Sequence, residues 1–531
     1  MYIATVPNRN SPPAILLREA FRENGKVKNR TLANLSHWPA ARIEALRRAL
    51  RGDFDHAALS EPMLGPIFGL LYVLKQIADA VGLTAALGKT VLGKLALFLV
   101  LARLAHRGSR LSAVRWAQDH AVAEVLALPA FDEDDLYRAL DDLCARQEKI
   151  EVTLYARYTR QHTQPPCMFL YDVTSSYLEG QKNELGEFGY DRDGKKGKLQ
   201  IVIGLLADEA GEPLAVRVMS GNTSDPTTVV DQIKILQEQF RVREVIFVGD
   251  RGMVKSKGKQ ALQQAQLHYI TALTDPQIRR LLKQGTLQLG LFHEQICEVE
   301  AEGVRYVLRK NEAEAAHERH RCEDKLRRLE ARVAVRNQKV KNAPRCQPEA
   351  GRRKLEDWAA RHKLTSLVRL KLEERTLVLE RDPAAMAKSL ELAGCYVVTS
   401  DVAKQNLSAQ QVHDGYLSLQ KVERDFRAIK TGLLEVRPIF LRDQNRTRGH
   451  VLCCMLALKL SREIERRLHA QFGTTNRDPH AITLPDALTA LSSLCLLQYR
   501  IDENTTMTKL PQPTANQKQI LGALGVTLPA M

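Results

Sequence analysis

The sequence lacks the features of a secreted, zinc-binding or membrane-spanning protein. Its nine cysteines are an odd number and no two form a Cys-x-x-Cys pair, which argues against a disulfide framework and a thiolate zinc site. The most apolar run, Leu95 to Ala102, lies between Lys94 and Arg103 and is too short to cross a bilayer. The first residues show no charged segment followed by an apolar stretch, so no signal peptide is expected. These absences predict a cytoplasmic protein.

The composition is that of a folded, strongly basic chain. Hydrophobic residues make up 44% and charged residues 26% of the sequence, which favours globular structure over disorder. The 78 Lys and Arg exceed the 62 Asp and Glu and give a formal net charge of +16. Such an excess attracts polyanions, because binding releases their counterions. Nucleic acid is therefore the expected partner, although ribosome-associated and membrane-surface proteins share this property.

The 531 residues exceed the size of a single core, so several domains are expected. Changes in periodicity divide the chain into an N-terminal β and basic segment, a helical domain, two parts of an α/β core separated by a charged α+β insertion, and a turn-rich tail with one weak helix. The N-terminal segment spans 1–60 and the helical domain 61–160. The two parts of the α/β core are 165–274 and 396–470, with the insertion at 275–395 between them, and the tail is 471–531. The first region is the candidate for DNA binding, because the basic segment GKVKNR and the nearby Arg47, Arg48 and Arg51 lie in it.

The α/β core shows a recognisable order of elements. Three short apolar strands separated by polar turns come first, and a helix follows with Asp225 as its expected N-cap and Pro226 at its first position. A strand, a helix and a further strand complete the unit. This order predicts a ribonuclease H-like α/β fold, preceded by a helical domain and interrupted by the insertion.

Two aspartates lie within or at the end of apolar strands. Asp172 stands inside FLYDVTSSY, where an unpaired carboxylate is costly to desolvate. The alternative is a water-facing edge position or an Asp–Arg pair. Asp250 ends VIFVGD, at the carboxyl end of a strand where α/β sheets bind ligands; a helix cap is the alternative. In the expected order the two strands are neighbours, so the carboxylates would repel each other unless a cation lay between them.

A third acid is expected on a helix that begins near Ser408, where Ser-Ala-Gln-Gln forms a capping-box pattern. Seven residues make about two helical turns, so residues spaced by seven share one stripe. Such a stripe is formed by Tyr416, Glu423 and Lys430. Apolar neighbours are expected to pack the helix against the sheet: Val422, Phe426 and Ile429. An ordinary surface stripe is the alternative. Three carboxylates with open water positions suit two Mg²⁺ or Mn²⁺ ions.

The segments LYDVTSSYLEG, FVGDRGM and YLSLQKVERDFRAIK resemble the DDE transposases of bacterial insertion sequences, and within them the group with a Y-x2-R-x3-E-x6-K signature. Tyr416, Glu423 and Lys430 match that spacing, whereas Leu419 stands where the signature has Arg. The resemblance extends over most of the chain. It implies hydrolytic cleavage at transposon ends and attack of the freed 3′-OH on target DNA.

The resemblance also implies roles for individual residues. Asp172, Asp250 and Glu423 would be the catalytic metal ligands, and the chain would bind double-stranded DNA as a homodimer or larger assembly in the bacterial cytoplasm, at the nucleoid. Tyr416 and Lys430 would hold DNA phosphate near the scissile bond, with a packed aromatic and a salt bridge as the alternatives. Further basic residues near the site are candidate DNA contacts: Arg427, Arg251, Lys195 and Lys196.

Other motifs are weaker. GLTAALGKT, from Gly82 to Thr90, has one residue too many for a phosphate-binding loop and follows a helical segment. His317 and His320 are expected on a solvated helix face, because no third metal ligand lies near them. Two rival functions remain: a ribonuclease H-like nuclease that cuts without joining, and an inactive DNA-binding descendant.

Overall fold

The computed structural model describes residues 1–8, 12–23, 25–52, 63–162, 165–190, 192–195, 197–242, 245–251, 253–293, 296–343, 345–430, 433–437, 439–474, 481–500 and 506–529. The chain begins with a three-stranded antiparallel sheet and one helix: β1 Tyr2–Val6, β2 Ala14–Glu23, β3 Lys26–Asn34 and α1 Ala40–Arg51. The β structure predicted for this N-terminal segment is present in β1 and β2. The third strand falls in the basic segment, where the sequence predicted none, because its side chains are almost all exposed and show no alternation of apolar residues.

A helical region follows, as predicted. It comprises α2 Gly69–Ala80, α3 Leu83–Leu87, α4 Val91–Ala105, α5 Arg110–Gln118, α6 Val122–Leu126, α7 Glu133–Ala145 and α8 Gln147–Gln161. One strand that the sequence analysis missed, β4 Met63–Ile67, precedes these helices. It pairs with a strand near the C-terminus, and this distant partner leaves no local signal.

The α/β core has the predicted order: β5 Met168–Tyr177, β6 Gln200–Asp208, β7 Pro213–Ser220, α9 Asp225–Lys234, β8 Ile246–Gly249, α10 Ser256–Gln264 and β9 His268–Ala272. β5, β6 and β7 form an antiparallel meander, and β8 and β9 add to β5 in parallel. The spatial order β7-β6-β5-β8-β9, with β6 antiparallel to the others, is that of a ribonuclease H-like sheet. The N-cap of α9 is Ser224, one residue before the expected Asp225.

The next elements are α11 Asp275–Lys283, β10 Cys297–Ala301, β11 Val304–Lys310, α12 Glu312–Asn342, α13 Pro348–Arg361, β12 Val368–Glu373, β13 Thr376–Arg381, α14 Pro383–Leu390 and β14 Cys395–Ser400. The sequence analysis assigned the β10–β11 hairpin to the insertion. The structure corrects this assignment, because β14 pairs with β9 on one side and with β11 on the other, which joins the hairpin to the central sheet. The sheet thus has eight strands in the order β10-β11-β14-β9-β8-β5-β6-β7.

Two helices replace the single one expected after Ser408: α15 Ala409–Leu417 and α16 Leu419–Lys430. The predicted capping box of Ser408 and Gln411 is present. At the junction the Ser418 hydroxyl donates to the carbonyl of Asp414, a bond that bends helices. A long helix, α17 Gln444–Phe472, follows, and its middle part is buried.

The C-terminal region is more ordered than the turn-rich tail that the sequence predicted. It contains α18 Leu484–Ser492, β15 Cys495–Arg500, β16 Thr506–Lys509 and α19 Ala515–Leu524. β15 pairs with β4, and the amides of Phe68 and Gly69 donate to the carbonyl of Leu494. These contacts with β4 and the start of α2, which are distant in sequence, position the C-terminal region.

The central sheet separates two apolar cores. On one face, Leu170 and Val248 pack with residues of the helices α15 to α17 and of the N-terminal helical region. On the other face, Tyr171 and Phe247 pack with residues of α9 and α10. The side on which a strand residue points therefore decides which helices it meets.

Candidate active site

Asp172 and Asp250 lie side by side on neighbouring strands. β5 and β8 pair in parallel with Tyr171 opposite Gly249, so the next residue on each strand is an aspartate. Side chains alternate along a strand, and both acids share the parity of Leu170 and Val248. Both carboxylates therefore point to the face that α15 and α16 cover.

The helix pair brings the third acid to the same place. Val422, Phe426 and Ile429 are buried as predicted, and this apolar face orients α16 so that Glu423 lies at its exposed edge beside the strand ends. A cavity of about 130 Å³ results, which we call the carboxylate cavity. It is lined by Asp172, Asp250, Tyr416, Leu417, Leu419, Gln420 and Glu423. The structure thus brings together four of the predicted site residues.

The surroundings of Asp172 disfavour its ionised form. Burial, together with the negative charges of Asp250 and Glu423, raises the pKa of Asp172 to about 7. The backbone N–H of Val173, which donates to Asp172 Oδ1 at 2.8 Å, and the cationic Arg192 oppose this rise. The cavity therefore holds more negative charge than its surroundings compensate.

Tyr416 contacts an acid directly. Its hydroxyl donates to Asp250 Oδ1 at 3.1 Å, and burial and the charge of Asp250 raise the pKa of the phenol. Arg251 lies close enough to Tyr416 to oppose that rise. The tyrosine fixes one carboxylate oxygen of Asp250 at the wall of the cavity.

Lys430 lies away from the carboxylate cavity. Its ammonium donates to Asp193 Oδ1 at 2.8 Å, and Arg437 is 2.9 Å from Asp193 Oδ2. All three side chains are at most 14% exposed, so this is a buried ion triad. The salt bridge that the sequence left open as an alternative for Lys430 is present.

Three of the four remaining predicted DNA contacts lie on exposed surface. Arg251, Arg427 and Lys195 are exposed, and Lys195 Nζ is 6.0 Å from the centroid of the Tyr177 ring. Lys196 lies outside the described residues. Their contacts with DNA stay predictions.

Sequence reasoning missed two features of the site. Gln420 lines the cavity three residues before Glu423, a spacing that places both on one helix face and could have identified it. Asp193 lies in the segment RDGKKGK, which was interpreted only as basic, and no local signal connects it with Lys430.

Within the described ranges, no three His, Cys, Asp or Glu side chains already converge closely enough to hold a metal ion. His317 and His320 are exposed on α12, as expected. None of the helices described is long and apolar enough to cross a bilayer.

Two family models match the sequence. Residues 163–460, more than half of the chain, match the transposase DDE domain, and residues 3–61 match the N-terminal domain of IS1634 family transposases. A search of curated proteins finds no significant match.

Solved structures of transposases also match, at low identity. A piggyBac transposase synaptic complex with hairpin DNA is 10% identical over 75% of this chain and 69% of that chain, with a TM-score of 0.33. A Mos1 transposase paired-end complex is 13% identical over 31% of this chain and 58% of that chain, with a TM-score of 0.15. The family follows from the sequence matches alone. The chain belongs to the DDE transposase family and is an insertion-sequence transposase with an IS1634-type N-terminal domain.

Proposed function

We propose that Asp172, Asp250 and Glu423 are the catalytic carboxylates with which this transposase cuts transposon ends and joins the freed 3′-OH to target DNA. The observation that supports the assignment best is the register of β5 and β8, which puts two acids side by side under the helix that bears the third. The raised pKa of Asp172 adds to it, because a bound cation would favour the ionised form of this buried carboxyl.

The donor set fits two divalent cations, Mg²⁺ or Mn²⁺, since both prefer carboxylate and water oxygens. Bound there, the cations would activate the attacking oxygen and stabilise the leaving one. Asp250 Oδ2 accepts no hydrogen bond from the described residues, while Oδ1 is held by Tyr416. Tyr416 thus orients Asp250, and small rotations of Asp172 and Glu423 would complete the ligand set.

Double-stranded DNA is the proposed partner, and two joined ends require at least two copies of the chain. Arg251, Arg427 and Lys195 are exposed cations that would contact phosphates. Lys430 would meet a phosphate only if it left Asp193, so we propose that it acts mainly by anchoring the segment that bears Lys195.

Asp250→Asn tests the assignment. In Mg²⁺ the variant should lose cleavage of a duplex that carries the element's terminal repeat by a factor of about 10³ or more, since ligand loss removes the bound cation. Its affinity for the same duplex, measured in EDTA by fluorescence anisotropy, should change by less than about twofold.

Asp231→Asn is the matched control, because Asp231 is exposed on α9 at the opposite face of the sheet. It should cleave like the wild type. Retained cleavage by Asp250→Asn would refute the site. If the wild type cleaves DNA but does not join a pre-cut end to target DNA, the protein is a nuclease. If the wild type binds DNA without cleaving it, the protein is an inactive descendant.

A further inference from the structure

A second cavity, of about 440 Å³, adjoins the carboxylate cavity, and Leu417 and Gln420 line both. We call it the basic cavity. Its other walls come from the end of β11, the start of α12, β14 and α15: Arg309, Lys310, Asn311, Glu312, Tyr396 and His413. Because the two cavities share a wall, a ligand that fills one lies next to the other.

Arg309 is held in this cavity by a buried histidine. Its Nη1 lies 3.4 Å from Nε2 and 3.5 Å from Nδ1 of His413, which is 1% exposed. The Tyr396 hydroxyl is hydrogen-bonded to His413 Nε2, and His413 Nδ1 lies 3.0 Å from Asp414 Oδ1. Both ring nitrogens therefore have a polar partner. His413 therefore packs against the guanidinium of Arg309, and the N–H donors of Arg309 that face the cavity can bond another acceptor.

The charge of Arg309 is compensated only in part, by Asp414, which is held by Gln410 and His413 and lies close enough to feel the guanidinium. Among the described residues, no carboxylate lies within 4 Å of its guanidinium, whereas Lys310 on the same wall is 2.7 Å from Glu312. Leaving a half-buried cation unpaired is costly, and an anion in the cavity would relieve that cost.

We propose that the basic cavity binds a backbone phosphate of DNA, with Arg309 as its principal ligand. A guanidinium presents paired N–H donors that match two phosphate oxygens. The carboxylates next door repel DNA phosphates, so a cation at this position gives the strand an anchor beside them. The inference rests on the proposed function for the identity of the polyanion, but it concerns binding and does not depend on catalysis.

The test measures the salt dependence of DNA binding in EDTA, where neither divalent cations nor cleavage contributes. Arg309→Gln should weaken binding of the terminal-repeat duplex about tenfold, as expected for one charge-assisted contact. The slope of log affinity against log salt should fall in magnitude by about one, because one phosphate contact is lost. Arg309→Lys should restore most of the slope, since it keeps the charge.

Arg361→Gln is the matched control. Arg361 is an exposed cation on α13 and lines neither cavity, so its removal changes the net charge equally but should leave the slope unchanged. Thermal unfolding verifies that each variant folds. If Arg309→Gln does not fold, Arg309→Met, which keeps the length of the side chain against His413, decides the question by the same slope.

Two arms identify the source of the phosphate. One uses the terminal-repeat duplex alone, and the other measures capture of an unrelated duplex by the protein already bound to a pre-cut end. A reduced slope in the first arm indicates that the phosphate belongs to transposon-end DNA. A reduced slope in the second arm indicates that it belongs to target DNA. Either result supports the proposal. An unchanged slope in both arms for a folded variant overturns it. Neither arm requires cleavage. A failure of the proposed catalytic function would therefore appear in the cleavage assay and not in these binding measurements.

Discussion

At the scale of single residues, Asp172 combines a cost to the fold with a proposed role in catalysis. Its pKa of about 7 lies well above that of an aspartate in an unfolded chain, about 3.9. The folded state therefore disfavours the charged form, and stability is lost as the pH rises from about 4 through about 7. Above that range the penalty is complete, unless a cation binds.

Asp172→Asn removes this penalty. In EDTA at pH 8 the variant should be more stable than the wild type, by up to about 2–4 kcal/mol, since each pKa unit corresponds to about 1.4 kcal/mol. Near pH 4 the two should unfold alike, because the wild-type carboxyl is then protonated. Thermal midpoints at both pH values provide the measurement, and cleavage in Mg²⁺ should be lost. An equal shift at both pH values would mean that the carboxylate pays no ionisation penalty in the fold.

At the scale of elements, the segment between β5 and β6 is fastened to the end of α16 through Asp193. Lys430 and Arg437 converge on this carboxylate, and their side chains are 12% and 14% exposed. The same segment also has a more exposed ion pair, between Lys198 and Glu179. The two pairs differ in burial, so they allow a comparison within one segment.

Asp193→Ala should lower the free energy of unfolding by about 3 kcal/mol or more, because it leaves two nearly buried cations without their acid. Lys198→Ala should cost less than about 1 kcal/mol, since water screens the exposed pair. Urea denaturation measures both. Equal effects would show that Asp193 contributes no more than a surface charge.

At the scale of the whole molecule, α17 joins the helical region to the α/β core. Gly449 of α17 passes so close to α7 that an added Cβ would lie 2.1 Å from the carbonyl oxygen of Leu140. Gly522 of α19 is also helical, but an added Cβ there meets no atom within 4 Å. Substituting these two glycines therefore distinguishes the effect of close packing from the effect of helix propensity.

Gly449→Ala should destabilise the protein by about 1–3 kcal/mol, because the clash with a backbone exceeds the gain in helix propensity. Gly522→Ala should stabilise it by up to about 1 kcal/mol, because only propensity changes there. Thermal unfolding of both variants gives the comparison. A higher midpoint for Gly449→Ala would show that α7 and α17 do not pack as closely as described.

The local elements of the core and the positions of two acids followed from the sequence by itself. Short apolar runs bounded by polar turns predicted β5 to β9, and the polar residue that ends or interrupts such a run identified Asp172 and Asp250. The capping box at Ser408 and the seven-residue spacing located the helical segment of Glu423. These signals are local, because each depends on residues within a few positions of one another.

Only the tertiary structure decided which distant segments meet. The pairing of β14 with both β9 and β11, of β4 with β15, and of Lys430 with Asp193 joins residues far apart in the chain. The contact of Arg309 with His413 across the basic cavity is of the same kind. Long-range contacts depend on which strand edges and charged groups are still without partners once the local elements have formed. A single sequence does not show which of these edges and charges will meet.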